Sequence, residues 1–287
     1  MKKFIAILAI LVALCLAAAG CAAPAAEAAA PAGEETPVEA APAEETAEQV
    51  ELIVFAAASL QETLTQIGEL YQAVAPNVTL IFSFDSSGTL KTQIQEGADC
   101  DLFISAAQKQ MNQLDAAADP EVNTEGLDFV EQGTRVDLLE NKVALVVPEG
   151  NPANINSFAD IANCESIALG NDDVPVGQYS IEILTNLGLL EGLESGSKIT
   201  YGSNVKEVTT QVSEGAVDCG IVYATDAFSA GLTIVDQAQE DMCSQVIYPA
   251  AVLNISQHLE EAKAFLAYLQ GEEATAVFES VGFAPVG

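Results

Sequence analysis

Small and hydroxyl-bearing residues recur where a predicted strand ends and a predicted helix begins. They occur at Ser59, at residues 85–89 (D-S-S-G-T), at 175–177 (P-V-G) and at 203–205 (S-N-V). The first N–H groups of a helix lack partners inside the helix, and the helix dipole adds partial positive charge there. Several converging helix starts can therefore bind an anion without Lys or Arg. Each turn taken alone is explained by ordinary capping.

The sequence gives little support for a catalytic site. Its single histidine, His258, lies in a polar stretch before a predicted helix and is expected at the surface. Ser59 stands in A-A-A-S-L rather than in the G-x-S-x-G turn of hydrolases. No phosphate-binding loop, dinucleotide-binding motif, H-E-x-x-H, EF-hand or C-x-x-C spacing occurs. We therefore expect no enzyme, no bound metal cation and no cofactor.

Strands and helices are predicted to alternate and to position these turns. The predicted strands are 51–56, 78–84, 101–105, 142–147, 166–170, 199–202, 220–224 and 246–253. The predicted helices are 60–70, 90–95, 157–162, 178–187, 206–213, 259–269 and 274–280. This alternation predicts parallel sheets with helices on both faces, and ligands bind at the carboxyl edge of such sheets. The segments G-A-D-C-D-L-F-I (97–104) and G-A-V-D-C-G-I-V (215–222) echo one another, which suggests two similar lobes.

The first 48 residues predict export. Residues 1–20 have the layout of a secretory signal peptide, with an apolar stretch too short to cross a membrane comfortably. Small residues before Cys21 predict cleavage there and acylation of that cysteine, which anchors the protein to the outer face of the cell membrane. Residues 21–48 are mostly Ala, Pro, Glu and Thr and predict a disordered tether. A plain secreted protein, or a buried apolar helix, is the alternative.

The chain is strongly acidic, with a formal net charge of −33. Cleavage before Cys21 removes two of the nine basic residues and none of the 42 acidic ones, which leaves −35. Nucleic acid is therefore excluded as a partner, because phosphate binding needs clustered Lys and Arg. Beyond Cys21 the chain has Cys100, Cys164, Cys219 and Cys243. We expect a disulfide between Cys164 and Cys243, with free thiols as the alternative.

Ordered motifs extend this interpretation to a family. They are V-F-A-A-A-S-L (54–60), F-D-S-S-G-T-L (84–90), A-D-C-D-L-F-I-S-A (98–106), V-P-V-G-Q-Y (174–179), S-N-V (203–205), G-I-V-Y-A-T-D-A (220–227), Y-P-A-A-V (248–252) and G-F (282–283). From about residue 50 to the end, this series resembles the periplasmic molybdate-binding proteins of ABC transporters. Each motif alone is unspecific, and their order carries the resemblance.

The resemblance implies a type II periplasmic binding protein fold, with two doubly wound α/β lobes joined by two crossover strands. The crossings would fall near residues 143–148 and 247–253. Residues 49–142 would form lobe one, residues 143–248 would form lobe two, and residues 249–287 would return to lobe one. The lobes would close on the ligand like a hinged trap.

The resemblance also implies the ligand contacts. Ser59 and Ser87 would donate from lobe one through hydroxyl and backbone groups. Val176 and Val205 would donate backbone N–H groups from lobe two, and Tyr223 would donate its phenol. A core tyrosine at a strand end is the alternative for Tyr223.

Asp85 departs from the family pattern, because a small residue usually stands at this position. A carboxylate that points inward would repel a dianion but would accept the proton of hydrogen phosphate. Since Phe84 and Asp85 alternate across a strand, we expect Asp85 to point outward. A register slip of one residue would exchange Ser87 for Ser86 as the ligand contact.

The implied ligand is molybdate, a tetrahedral dianion that only accepts hydrogen bonds, and tungstate should bind comparably. The implied partners are an ABC permease and ATPase, and we expect a monomer that acts outside the cytoplasm. The alternatives are another oxyanion such as sulfate or phosphate, a ferric-ion binder, an exported hydrolase that uses Ser59, and an adhesion lipoprotein.

Overall fold

The computed structural model describes residues 48–286. The predicted signal peptide, the acylation site at Cys21 and most of the predicted tether lie outside these residues. Across the described part of the chain, none of the helices combines the length and apolar character needed to cross a membrane.

The strands form two separate sheets, and each sheet is the centre of one lobe. The strands of lobe one are Val50–Ala57 (β1), Val78–Asp85 (β2), Leu102–Ile104 (β3), Val136–Asn141 (β4), Val246–Val252 (β10) and Ala284–Pro285 (β11). The strands of lobe two are Val143–Val147 (β5), Ile167–Gly170 (β6), Ile199–Gly202 (β7), Cys219–Tyr223 (β8) and Thr233–Gln237 (β9). The order is β11-β4-β10-β3-β1-β2 in lobe one and β7-β6-β8-β5-β9 in lobe two.

Helices pack against the sheets through apolar residues at helical spacing. On the first helix, for example, Leu64, Ile67 and Tyr71 are buried. The helices are Gln61–Val74 (α1), Ser87–Gln95 (α2), Gln108–Asn112 (α3), Pro175–Asn186 (α4), Leu190–Ser195 (α5), Val205–Ser213 (α6), Ala224–Ser229 (α7), Leu259–Leu269 (α8) and Glu272–Val281 (α9), with short 3-10 helices at Ala58–Leu60 and Phe158–Asn163.

The sheets are mixed, so the prediction of parallel sheets is wrong in part. Strands β2-β1-β3 and β7-β6-β8 are parallel within each sheet. Strand β10 is antiparallel to β3 and β4, and β5 is antiparallel to β8 and β9. Strands β5 and β10 each enter their sheet directly from the other lobe rather than through a helical crossover, and they therefore run in the opposite direction.

The two similar segments, 97–104 and 215–222, occupy equivalent positions in the two lobes. Strands β3 and β8 each lie between a parallel neighbour and an antiparallel one. The glycines that open the two segments, Gly97 and Gly215, both have positive φ, at 92° and 66°. The prediction of two similar α/β lobes is confirmed.

The chain passes between the lobes twice. The first passage is at Lys142, between β4 and β5, and the second runs through residues 238–245. The second passage lies upstream of the expected crossing, because all of β10 from Val246 pairs with strands of lobe one. Residues 246–248 therefore lie in lobe one rather than in lobe two.

The predicted Cys164–Cys243 disulfide is wrong, and all four cysteines of the described region are free thiols. Cys164 lies close to Cys219 instead, and their contact lowers the pKa of Cys164 and raises that of Cys219. The alignment of β6 with β8 explains this contact, because Ile167 pairs with Cys219 and places the residues before β6 beside the start of β8.

Candidate ligand-binding site

A small cavity lies between the lobes at the predicted turns. The space in it that is open to the centre of a water-sized sphere is about 10 Å³, roughly what one water molecule needs. Lobe one lines it with Ala57, Ala58, Ser59, Asp85, Ser86, Ser87 and Ala106, and lobe two with Val174, Pro175, Val205 and Tyr223. Four of the five predicted ligand residues therefore meet here. The fifth, Val176, is fully buried next to Pro175.

Three helix starts converge on this cavity and supply backbone donors. Ser87 is the first residue of α2, Val205 is the first of α6, and Val176 is the second of α4. Helix geometry leaves the N–H groups at these positions without partners in their own helices. Within residues 48–286, no other group accepts a hydrogen bond from these three N–H groups. N–H groups without partners at a helix start can bind an anion.

The first turn of α4 is held close to the end of β6 by a glycine. A Cβ atom on Gly177 would lie 2.3 Å from the carbonyl oxygen of Gly170 and 2.6 Å from that of Asn171. Only glycine allows this approach, which fixes the adjacent Val176 N–H. The P-V-G turn therefore has a packing role in addition to its predicted binding role.

The hydrogen bonds distinguish Ser86 from Ser87. Ser86 caps α2: its Oγ accepts from Thr89 N at 3.1 Å and donates to Thr89 Oγ1 at 2.8 Å. Ser87 is fully buried, and its Oγ accepts from Ala106 N at 2.9 Å. The hydroxyl hydrogen of Ser86 is thus already used, whereas that of Ser87 remains free to donate into the cavity.

Ser59 contacts a tyrosine and not a base. Its Oγ lies 2.9 Å from Tyr248 Oη. Burial, reinforced by the charge of Asp226, raises the pKa of Tyr248 well above its usual value, so this phenol does not act as a base near neutral pH. His258 is half-buried rather than exposed, and it lies at the start of α8. The arrangement does not fit the serine hydrolase alternative, which requires a base beside the nucleophile.

Tyr223 reaches the cavity as a neutral phenol. It is almost completely buried, and burial raises its pKa well above the usual value, so it keeps its hydrogen at neutral pH. Its Oη donates a long hydrogen bond of 3.4 Å to the carbonyl oxygen of Ala106 in the opposite lobe. Tyr223 also packs edge-on against Tyr248, with ring centroids 5.7 Å apart.

Asp85 lines the cavity, so the expectation that it points outward is wrong. Its Oδ1 accepts from the N–H of Ser86 at 2.7 Å and from Asn204 Nδ2 of lobe two at 3.4 Å. Strand β2 ends at Asp85, and the carboxylate turns back to its own next N–H instead of following the alternation of the strand. One carboxylate therefore lies among the donors.

No cation offsets this carboxylate, because none of the cavity-lining residues is Lys, Arg or His. Residues 48–286 also contain no group of three or more His, Cys, Asp or Glu side chains that could hold a metal ion.

The lobes touch around the cavity. Gly88 N in α2 donates to the carbonyl oxygen of Asp173 at 3.0 Å. Lys206 of α6 lies 2.7 Å from Glu62 Oε2 in lobe one and 3.0 Å from Asp226 Oδ1 in lobe two. The structure therefore shows the lobes closed over the cavity.

A larger pocket, with about 570 Å³ of space measured in the same way, lies at the passages between the lobes and is lined by residues 140–143, 237–240 and 243–246. No helix begins among its lining residues. We therefore place the candidate site in the smaller cavity, where the free donors converge.

Known proteins resemble this chain over most of its length. A protein of Bacillus subtilis (strain 168), provisionally named ABC transporter substrate-binding lipoprotein YvgL, is 38% identical over 237 residues, which cover 82% of this chain and 86% of the relative. The molybdate-binding protein of Escherichia coli (strain K12) is 33% identical over 83% of this chain and 90% of the relative.

A solved structure shares the fold. A substrate-binding domain from Clostridium difficile, provisionally assigned to a molybdenum ABC transporter, matches with a TM-score of 0.61 and 34% identity over 83% of this chain and 100% of that domain. The predicted type II periplasmic binding protein fold is thereby confirmed. The family model of bacterial extracellular solute-binding proteins matches residues 52–284. This chain belongs to the bacterial extracellular solute-binding proteins.

Proposed function

We propose that this protein captures molybdate, and comparably tungstate, in the cavity between its lobes and delivers it to the permease and ATPase of an ABC importer. One observation carries the proposal. The cavity is small and lies at converging hydrogen-bond donors. The Ser87 hydroxyl and the N–H groups at the helix starts have no acceptor elsewhere in the described structure, and the Tyr223 phenol makes only a long hydrogen bond of 3.4 Å. The proposed donors are the hydroxyls of Ser59, Ser87 and Tyr223 and the backbone N–H groups of Val176 and Val205.

The chemistry of molybdate fits such donors. Molybdate carries two negative charges and no proton at neutral pH, so each of its oxygens can only accept hydrogen bonds. Hydrogen bonds to a charged partner contribute about 1.5–3 kcal/mol each, which lets neutral donors hold a dianion in a closed cavity. The relatives named for molybdate or molybdenum support this ligand over sulfate.

Hydrogen phosphate is the second candidate, and Asp85 is the observation that favours it. The Asp85 carboxylate lines the cavity, and a carboxylate can accept the proton that hydrogen phosphate carries. The same carboxylate would repel molybdate. In the closed lobes, its Oδ1 is already used by Ser86 N and Asn204, which reduces that repulsion.

The protein is an extracytoplasmic solute-binding protein and not an enzyme. We propose further that acylated Cys21 anchors a monomer to the outer face of the cell membrane through a tether that ends near residue 48. The name of the Bacillus subtilis relative, which includes the word lipoprotein, supports the anchor.

Thermal unfolding with four anions tests the ligand. A ligand that binds only the folded protein raises the Tm, and at 1,000 times its Kd it adds about 4 kcal/mol of stability. We expect molybdate and tungstate to raise the Tm by several degrees, and sulfate and phosphate at equal concentration to have little effect. Ser59→Ala should reduce the molybdate shift. A shift with phosphate alone would identify Asp85 as an acceptor and reject molybdate as the ligand.

Two adjacent serine substitutions test the assignment of Ser87. Ser87→Ala removes a free donor and is expected to weaken molybdate binding by on the order of 10-fold or more. Ser86→Ala removes the cap of α2 and is expected to lower the free energy of unfolding by about 1 kcal/mol, with a smaller effect on affinity. Isothermal titration and thermal unfolding measure the two quantities. The reverse pattern would show that Ser86 is the ligand contact.

A further inference from the structure

We infer that Asn141 and Tyr248 are positioning residues that fix the hydroxyl of Ser59 as a hydrogen-bond donor to the ligand, and that they thereby favour oxyanions without a proton. This inference rests on the proposed function and deepens it. Neither side chain lines the cavity.

The orientation of the Asn141 amide is set by its surroundings. Its Oδ1 accepts from Lys142 N at 2.8 Å. Its Nδ2 therefore faces the other two partners, Thr225 Oγ1 at 2.9 Å and Tyr248 Oη at 3.2 Å. Because an amide nitrogen has two hydrogens and accepts none, both contacts are donations by Asn141.

The direction of the next bond is part of the inference. In the inferred arrangement Tyr248 Oη accepts from Asn141 and donates its own single hydrogen to Ser59 Oγ, 2.9 Å away. Burial raises the pKa of Tyr248 well above its usual value, so that hydrogen is present at neutral pH. Ser59 then accepts from Tyr248, and its own hydroxyl hydrogen is left for the cavity.

All members of this hydrogen-bond chain are protected from water. Tyr248 is fully buried, Thr225 and Asn141 are 1% and 4% exposed, and Ser59 is 4% exposed. Water cannot readily replace any of these partners or reverse a bond. An incoming oxyanion therefore meets a fixed donor at Ser59, and a protonated oxyanion finds no acceptor there.

A double-mutant cycle tests whether Tyr248 acts through Ser59. The molybdate Kd is measured by titration for the unchanged protein, Tyr248→Phe, Ser59→Ala and the double variant. We expect Tyr248→Phe to weaken binding on the order of 10-fold in the unchanged protein, and to have almost no effect when Ser59 is already alanine. Tyr71→Phe is the control, because Tyr71 is also buried in lobe one but makes no hydrogen bond to Ser59.

Asn141→Asp provides a second test, because it reverses the chain without changing its shape. An aspartate accepts from Tyr248, so Tyr248 must accept from Ser59, and Ser59 turns a lone pair toward the ligand. The added charge weakens the binding of every dianion, whereas the reversal is expected to lower the affinity for molybdate at least 10-fold more than the affinity for hydrogen phosphate. Thermal unfolding without ligand shows whether each variant is folded.

The possible outcomes separate the two claims. Equal losses from Tyr248→Phe in both backgrounds would overturn the positioning role. An unchanged ratio of the molybdate affinity to the hydrogen phosphate affinity in a folded Asn141→Asp variant would also overturn it. Absence of molybdate binding by the unchanged protein would overturn the proposed function and, with it, this inference.

Discussion

Gly88→Ala is expected to weaken molybdate binding on the order of 100-fold without destabilising the unliganded fold. A Cβ atom on Gly88 would lie 2.4 Å from the carbonyl oxygen of Asp173 and 2.8 Å from its Cα, both in the opposite lobe. The lobes must separate to admit it, which removes the donors of lobe two from the ligand. If the substitution raises the free energy of lobe closure by about 3 kcal/mol, the apparent affinity for molybdate falls by a factor of about 100.

The unliganded protein should tolerate this change, because alanine is a better helix residue than glycine by about 1 kcal/mol and Gly88 lies within α2. Gly192→Ala in α5 is the matched control, since a Cβ there meets no atom within 4 Å. Titration with molybdate and thermal unfolding without ligand check both variants. Normal affinity in the Gly88 variant would show that the closed arrangement is not needed for binding.

Lys206→Ala is expected to lower the Tm by roughly 10 °C near pH 8, because it leaves a buried carboxylate without a counter-charge. Asp226 is 1% exposed, and neither of its oxygens accepts an aligned hydrogen bond within residues 48–286. Lys206 Nζ, 3.0 Å from Oδ1, is its compensating charge. Loss of the second pair, with the half-exposed Glu62, should contribute less than about 1 kcal/mol.

The effect should depend on pH. Burial raises the pKa of Asp226 to about 6 from a usual 3.8, although Lys206 opposes the shift. A pKa that is raised by folding favours the folded state below about pH 4, and the benefit is lost as the pH rises through 6. The loss of Tm in Lys206→Ala should therefore be much smaller near pH 4 than near pH 8. Lys263→Ala, which removes an exposed pair with Glu260, is the control. An equal loss at both pH values would exclude Asp226 as the cause.

The sequence predicted most of the elements that carry the site. The bounds of the strands with continuous apolar runs and of the helices with clear apolar periodicity are predicted to within a few residues. The pattern of buried residues is visible within each of these elements. Strands β4 and β9 and the short helices α3, α5 and α7 were missed. Strand β4 contains Asp137, Glu140 and Asn141, which interrupt the alternation that identifies a strand.

The site itself was predictable only in part. The turns at helix starts and the motif order led to Ser59, Val205 and Tyr223. The distinction between Ser86 and Ser87 depends on Ala106 N, which lies 19 residues away from Ser87. The contact of Tyr248 with Ser59 is not predictable from the sequence, because the two residues are 189 positions apart and a buried tyrosine in a strand needs no polar role. The orientation of Asp85 is predicted wrongly, because side chains alternate across a sheet only within a strand and Asp85 is the last residue of β2.

The chain order of the two sheets has a consequence for how the protein assembles. Lobe two is one uninterrupted segment from β5 to β9, so its sheet can form as soon as residue 237 is available. The sheet of lobe one cannot be completed early in synthesis. Its strand β10 lies between β3 and β4 and is synthesised more than a hundred residues later than either. Until then β3 and β4 keep unpaired edges, which are prone to aggregate. The segment that begins lobe one therefore waits for residues 246–252, and a C-terminal truncation that reaches β10 would remove an interior strand of that lobe rather than its periphery.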